Sequence, residues 1–296
     1  MNARKGILLA ILAAALYALN APLSKLMLDV APPVLMAGLL YLGAGVGMCI
    51  PALVKRLSGK PAFESTLGRT DLKYTVYMIL LDVAAPILLL IGLSGTAAES
   101  ASLLNNFEIV ATAIISITIF GDKISPRLWM GIGFITISCI ILSLEDTTSF
   151  GLSTGSLFIM LACVCWGIEN NCTRKISDKD PLQIVIIKGI FSGSTSLIIG
   201  LLSGERIGNV LVIPAILLIG FVAYGMSIFF YVHAQRLTGA ARTSAYYAIA
   251  PFIGAILSIA IFRGMPKYTF FVALSIMCVG AWLSASDKPL LKRNKK

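Results

Sequence analysis

The sequence predicts an all-α integral membrane protein of ten transmembrane helices, arranged as two inverted five-helix repeats. Three observations carry that prediction. First, 57% of the 296 residues are hydrophobic and only 13% are charged, and the mean hydropathy is +0.90. Second, the apolar residues fall in runs of about twenty, the length a helix needs to cross a hydrocarbon layer about 30 Å thick, and they lack the period-two alternation of a membrane barrel. Third, the second half of the chain repeats the first.

Taken in order, the spans are read at 6–28, 33–54, 73–94, 97–119, 126–144, 152–174, 182–203, 209–235, 239–262 and 266–286. The first run follows Arg4 and Lys5 and continues too long for a cleavable signal core. The first repeat covers 1–146 and the second 150–288, with a basic tail at 289–296. With the N-terminus in the cytoplasm, nineteen Lys and Arg lie on that side and four (Lys25, Arg206, Arg263 and Lys267) on the other, leaving Lys188 inside a span. That asymmetry predicts a cell-membrane protein with both termini cytoplasmic. It also assigns the net charge of +10 to the membrane surface rather than to nucleic acid. Lys188 lies about 9 Å from the inner end of its span, close enough to snorkel to the headgroups. The six cysteines form no metal-binding pattern and read as small apolar packers.

The fourth span, Thr96 to Phe120, holds a carboxylate at mid-depth. Glu108 is about 16 Å from its start, and Ala101, Asn105, Glu108 and Thr112 recur at helical spacing on one face. An intramembrane carboxylate must face a bundle interior or a watery cavity, which makes it a functional-site hypothesis; the alternative is a structural tie to a neighbouring helix. Thr96 and Glu99 have the spacing of a capping box. Pro22, Pro86, Pro214 and Pro251 are candidate kinks.

The repeats align at drifting offsets. A shift of 149 lays Tyr17, Asn20, Ser24 and Lys25 on Trp166, Glu169, Thr173 and Arg174. A shift of 146 lays Gly43 and Gly47 on Gly189 and Gly193, both GxxxG steps suited to close helix approach. A shift of 142 lays Ala98, Ser102, Ile119 and Phe120 on identical residues, and Asp82 on Tyr224. Five spans per repeat is odd, so the second copy enters the membrane upside down, the layout of many secondary transporters.

On these residues the chain resembles an EamA-type member of the drug/metabolite transporter superfamily over nearly its full length. The resemblance rests on LYALNAPLSK, echoed by CWGIENNCTRK; on the block NNFEIVATAIISITIFGDKISPRLWMGIGFITIS; and on its copy AIAPFIGAILSIAIFRGMPKYTFFVALSIMCVG. The family usually has Glu-Pro at mid-membrane in the fourth and ninth spans; here Glu108 is followed by Ile109, and Ala250 precedes Pro251. Gly121-Asp122 and Arg263-Gly264 also depart from the acidic residue usual after those helices. The resemblance implies a central cavity, alternating access, and export or exchange of small metabolites, amino acids or related zwitterions first; organic cations, drugs or choline-like solutes come second, on the acid-and-aromatic lining that follows.

The residues themselves supply a cavity lining. Tyr17, Trp166, Tyr224, Tyr231 and Tyr247 would form apolar walls, Asp82, Glu108 and Glu169 polar anchors, and Asn20 and Asn105 amide partners. Aromatic faces attract ammonium groups by about 0.5–2 kcal/mol each. Each has a plainer reading: Asp82 pairs with a helix partner, Glu169 bonds Asn170 or Asn171, and His233 packs near the membrane surface. No GxxxxGK[ST] occurs, so ATP-driven transport has no motif here, and no cofactor is implied. The expected partners are a small-molecule substrate and the lipid bilayer, with coupling to a proton or counter-substrate open and the oligomeric state unspecified. An intramembrane enzyme and a channel are the rivals from other classes.

Overall fold

A computed structural model describes residues 2–59, 61, 63–121, 125–144, 153–176, 179–238, 243 and 246–285. Among these, nine helices are long and apolar enough to cross a membrane, and the shorter apolar helix Ala250–Phe262 makes up the ninth span. Leu8, Ile50, Leu80, Leu218, Ile256 and Trp282 all point outward and are more than half exposed. Water would penalise that surface and lipid does not.

The ends of the spans follow from local chemistry. The second, fifth and seventh helices begin with proline, at Pro33, Pro126 and Pro181, where a missing N–H costs nothing. Ser125, Ser153 and Asp180 cap the fifth, sixth and seventh by accepting backbone N–H bonds. The fourth closes on Gly121 at φ 64°, a left-handed conformation that glycine adopts without strain.

Several spans are not continuous α-helix. The first divides at Leu19 into Asn2–Ala18 and Asn20–Met27. The fourth divides at Asn105–Asn106 into Ala98–Leu104 and Phe107–Phe120. The seventh carries a π turn over Lys188–Ser192, between Pro181–Ile187 and Gly193–Leu202. The eighth carries another over Phe221–Met226, between Ile213–Gly220 and Ser227–Thr238. A turn at Ala248–Ile249 precedes Ala250–Phe262, so the ninth span is not the single helix expected over 239–262; most of 239–245 lies outside the described residues. The third (Leu72–Ser94), sixth (Thr154–Lys175) and tenth (Tyr268–Ala285) are unbroken.

Prolines explain less of this than their sequence positions suggest. Pro86 sits inside the unbroken third span, and Pro214 starts a helix. Pro22 and Pro251 occupy the first turns of helices that begin just after breaks, where their lost N–H bonds are not missed. The Thr96–Glu99 capping box does not form: Ala97 is the N-cap and no side chain caps it. Instead the Thr96 carbonyl accepts from Lys25 Nζ at 2.9 Å.

Packing obeys the inverted repeat. The first span packs on the eighth and the sixth on the third, while the second meets the seventh, the fourth meets the ninth and the fifth meets the tenth. Exchanging the halves leaves that pattern unchanged. The glycine pairs lie at helix contacts as expected: Gly189 against the Gly45 backbone and Gly193 against the Gly38 carbonyl where the second span meets the seventh, and Gly43 against Leu217 and Gly47 against the Phe221 ring where the second meets the eighth. A Cβ on Gly45 or Gly189 would overlap the facing backbone, so only glycine permits this approach.

Polar ties hold both ends of the bundle. At one end Lys25 Nζ donates to the carbonyls of Leu93, Ser94 and Thr96 at 2.6, 3.0 and 2.9 Å, and Glu205 accepts from Leu35 N at 2.8 Å at the start of the second span. At the other, Asp180 accepts from Glu64 N and Leu182 N, both at 2.8 Å, and Gln183 accepts from Leu67 N at 2.8 Å. The long loop after the second span is thereby pinned to the start of the seventh.

Candidate functional site

Three charged side chains from three spans meet inside the bundle. Lys188 Nζ lies 2.9 Å from Glu169 Oε1 and 3.1 Å from Asp82 Oδ2. Asp82 is fully buried and Glu169 nearly so. The Tyr41 hydroxyl donates to Asp82 Oδ1 at 3.0 Å and itself accepts from Trp166 Nε1 at 3.4 Å. Thr173 Oγ1 donates to Glu169 Oε1 from one turn away. The snorkelling expected of Lys188 therefore does not occur: with two carboxylates within reach, the ammonium is better solvated by them than by distant headgroups. Lys188 also opens the π turn of its span, a distortion often found at functional positions. Glu169 bonds neither Asn170 nor Asn171; Thr173 and Lys188 take it instead.

Glu108 begins a second cluster, next to the first. Asn170 Nδ2 donates to Glu108 Oε1 at 2.6 Å and to Thr112 Oγ1 at 3.3 Å, joining the fourth span to the sixth. The expected stripe from Ala101 to Thr112 is interrupted, because the chain unwinds at Asn105–Asn106 just before Glu108. Cys163 meets that break: its buried thiol lies 3.7 Å from the Leu104 carbonyl and 3.8 Å from that of Asn105. Cys163 thus acts as a weak donor as well as a packer.

The aromatic residues form one connected group. Ring centroids lie 6.0 Å apart for Tyr17 and Tyr224, 5.9 Å for Tyr17 and Tyr247, 4.9 Å for Tyr231 and Tyr247, and 5.3 Å for Tyr41 and Tyr224. Tyr17 also lines a narrow cleft with Asn20, Ala21, Ser102, Asn105 and Pro251, whose free volume is about 10 Å³. That holds roughly one water molecule, so the bundle has no open solute cavity at this place. All ten predicted site residues fall into these groups: Asp82, Glu169 and Trp166 around Lys188; Glu108 on Asn170; Tyr17, Asn20 and Asn105 at the cleft; and Tyr224, Tyr231 and Tyr247 beside Tyr17. His233 stands apart, its Nδ1 3.0 Å from the Phe229 carbonyl.

This helix order, inverted pairing and polar centre can be compared with known proteins. Residues 4–144 and 153–286 each match the EamA-like transporter family. The chain belongs to that family. A relative from Methanothermobacter thermautotrophicus, described as an uncharacterized transporter, is 27% identical over 261 residues, covering 83% of this chain and 76% of its own. Another, the uncharacterized transporter YyaM of Bacillus subtilis, is 23% identical over 232 residues, 75% of each chain. A crystal structure matches with a TM-score of 0.65 at 16% identity, covering 94% of this chain and 95% of that one, which supports the fold alone. The chain is thus a multi-pass membrane transporter of the EamA-like family.

Sequence reasoning missed Lys188 and Tyr41 as members of the site. Lys188 was open to a charge argument: three intraspan carboxylates leave a lone intraspan lysine little reason to reach for the surface. Tyr41 lies eight residues into Pro33–Leu57, away from the interfaces where tyrosine concentrates, and that depth was the signal that could have found it.

Proposed function

We propose that the protein is a secondary transporter of small organic solutes bearing an ammonium group, amino acids first, working by alternating access as an exporter or exchanger. One observation carries this reading. Among the described residues the centre of the bundle gathers three carboxylates, Asp82, Glu108 and Glu169, around one cation, Lys188. Such a centre is short of positive charge in a medium of low dielectric, and a cationic group on the solute offsets that shortage. Tyr17 and Tyr247 stand near Glu108, so the same place supplies aromatic faces for an ammonium. An organic cation without a carboxylate is the second reading, favoured by the aromatic group.

The inverted pairing of spans supports two-sided access, with the narrow cleft belonging to an occluded state. The nineteen-to-four distribution of basic residues supports cytoplasmic termini in the cell membrane. An impermeant reagent reaching a cysteine placed at Lys292 in intact cells would reverse that orientation. For the activity itself, purified protein in proteoliposomes is loaded with one amino acid and offered a labelled one outside. Saturable counterflow is the expected result. Ohmic conductance would make the protein a channel, and product formation an enzyme.

A further inference from the structure

Three breaks in the bundle converge on one place. Leu19 divides the first span, Asn105–Asn106 divides the fourth, and the turn at Ala248–Ile249 precedes the helix Ala250–Phe262 of the ninth. The narrow cleft is lined from all three: Ala18, Asn20 and Ala21 flank the first break, Asn105 the second, and Ala250 and Pro251 the third. At each break the backbone tightens. Leu19 N, Asn106 N and Phe252 N donate to the carbonyls three residues back, Leu16, Leu103 and Ile249, at 3.3, 3.0 and 3.1 Å. Pro22 and Pro251 have no N–H for the carbonyls of Ala18 and Tyr247 one turn earlier. Such bonding inside a spanning helix marks a hinge.

From these breaks to the end that holds Lys25 run three short helices, Asn20–Met27, Ala98–Leu104 and Ala250–Phe262, packed on one another. Gly254 lets them close, since a Cβ there would stand 3.0 Å from Ser102 Oγ and 3.1 Å from the Ala18 carbonyl. Beside this unit stands a fixed post. The third span is bound to the sixth, where Gly92 lies on the Gly155 carbonyl, and its final turn presents carbonyls that no further turn of helix bonds. Lys25, on the first of the three short helices, reaches them: Nζ donates to Leu93 at 2.6 Å and Ser94 at 3.0 Å, and to Thr96, in the link to the fourth span, at 2.9 Å. The carboxylates of Asp29 and Glu99 also act on its charge. Both belong to the unit and not to the post: Asp29 follows Asn20–Met27 by two residues and Glu99 lies in Ala98–Leu104. The ammonium thus has partners on either side of the seam.

We propose that Asn20–Met27, Ala98–Leu104 and Ala250–Phe262 form a lid over the cleft, hinged at the three breaks and latched shut by Lys25 on the end of the third span. When the latch lets go, Asp29 and Glu99 take up the ammonium and the lid swings, opening the cleft to that side of the membrane. Two alternative sets of partners for one charge make a two-state element rather than a loose one. The inference goes beyond the proposed transport by naming a moving part. Its test needs no solute, so the two readings can fail separately.

A water-soluble maleimide is applied to the purified full chain carrying Ser102→Cys, and labelling is counted above that of the six native cysteines. Ser102 lines the cleft and is 3% exposed, so labelling should be slow. Adding Lys25→Met should speed it about tenfold or more, by raising the population with the lid open. Lys25→Arg still donates to carbonyls and should stay within about threefold of the parent. Ser138→Cys, fully buried between the fifth and tenth spans, reports general loosening and should not respond to Lys25→Met. Pro22→Ala, with Lys25 in place, returns an N–H to the first hinge and should slow labelling at Ser102→Cys severalfold, an answer that does not depend on removing the lysine. If neither Lys25→Met nor Pro22→Ala changes that labelling, or if Lys25→Met speeds Ser138→Cys equally, Lys25 is a static helix cap and the lid is wrong.

Discussion

The two halves of the central site share a backbone plan and differ in how it is satisfied. Around Lys188 every charge has a partner, and the third, sixth and seventh spans are locked together. Around Asn20 and Tyr224 the same plan is built from neutral groups: under the shift that lays Gly43 on Gly189, Leu42 stands where Lys188 does, and Ser24 Oγ donates to Asn20 Oδ1 at 3.0 Å. Duplication therefore yielded one half-site held by an ion network and one built from neutral polar groups. A twofold-symmetric backbone scaffold can in this way carry an asymmetric distribution of charge.

The widest difference between the halves should appear on removing their central side chains. Lys188→Met leaves Asp82 and Glu169 buried without their ammonium and should cost about 3–5 kcal/mol, read as a large fall in melting temperature in detergent. Adding Asp82→Asn and Glu169→Gln should restore most of it. Equal losses for Lys188→Met and Tyr224→Phe would erase the distinction.

Next in size is packing. Gly193→Leu drives a side chain into the Gly38 carbonyl and the backbone of Leu42, whereas the atoms nearest a Cβ at Gly47 belong to the ring of Phe221, a side chain that can turn aside. The first should lose about 3 kcal/mol and the second clearly less, by the same melting measurement. Wild-type stability for both would mean these faces look at lipid.

Glu108→Gln should barely change stability, within about 1 kcal/mol, because its amide oxygen can still accept from Asn170. Counterflow should nevertheless fall tenfold or more. Transport like wild type at every pH would make Glu108 structural and move the anchor to Asp82 or Glu169. The smallest effect belongs to Cys163→Ala, which removes weak thiol contacts to the Leu104 and Asn105 carbonyls and should cost about 0.5–1 kcal/mol. Cys163→Ser, with a stronger donor, should recover it.

The fold was legible because lipid leaves a chain few options: each spanning segment must satisfy its own backbone, so run length alone reveals helices. The glycine steps were legible for a similar reason, as a missing side chain every fourth residue matters only at a contact. The partner of Lys188 was not, since intraspan charges find each other only once the neighbours of each span are known. Nor were the π turns at Lys188 and Phe221, which insert a residue without leaving a mark in spacing. Thr96 and Glu99 misled because a four-residue motif competes with tertiary bonds: Lys25 holds the Thr96 carbonyl, and the helix begins beyond it.

Where the second and seventh spans touch at Gly45 and Gly189, one smooth backbone lies on another. Interlocked side chains resist sliding like meshed gears, since every knob must climb out of its hole before the surfaces can move. At this one crossing the seam has no teeth; further along, Leu35, Leu42 and Leu197 sit against Gly200, Gly193 and Gly38 and supply them, so the seam fastens the two repeats in a fixed register.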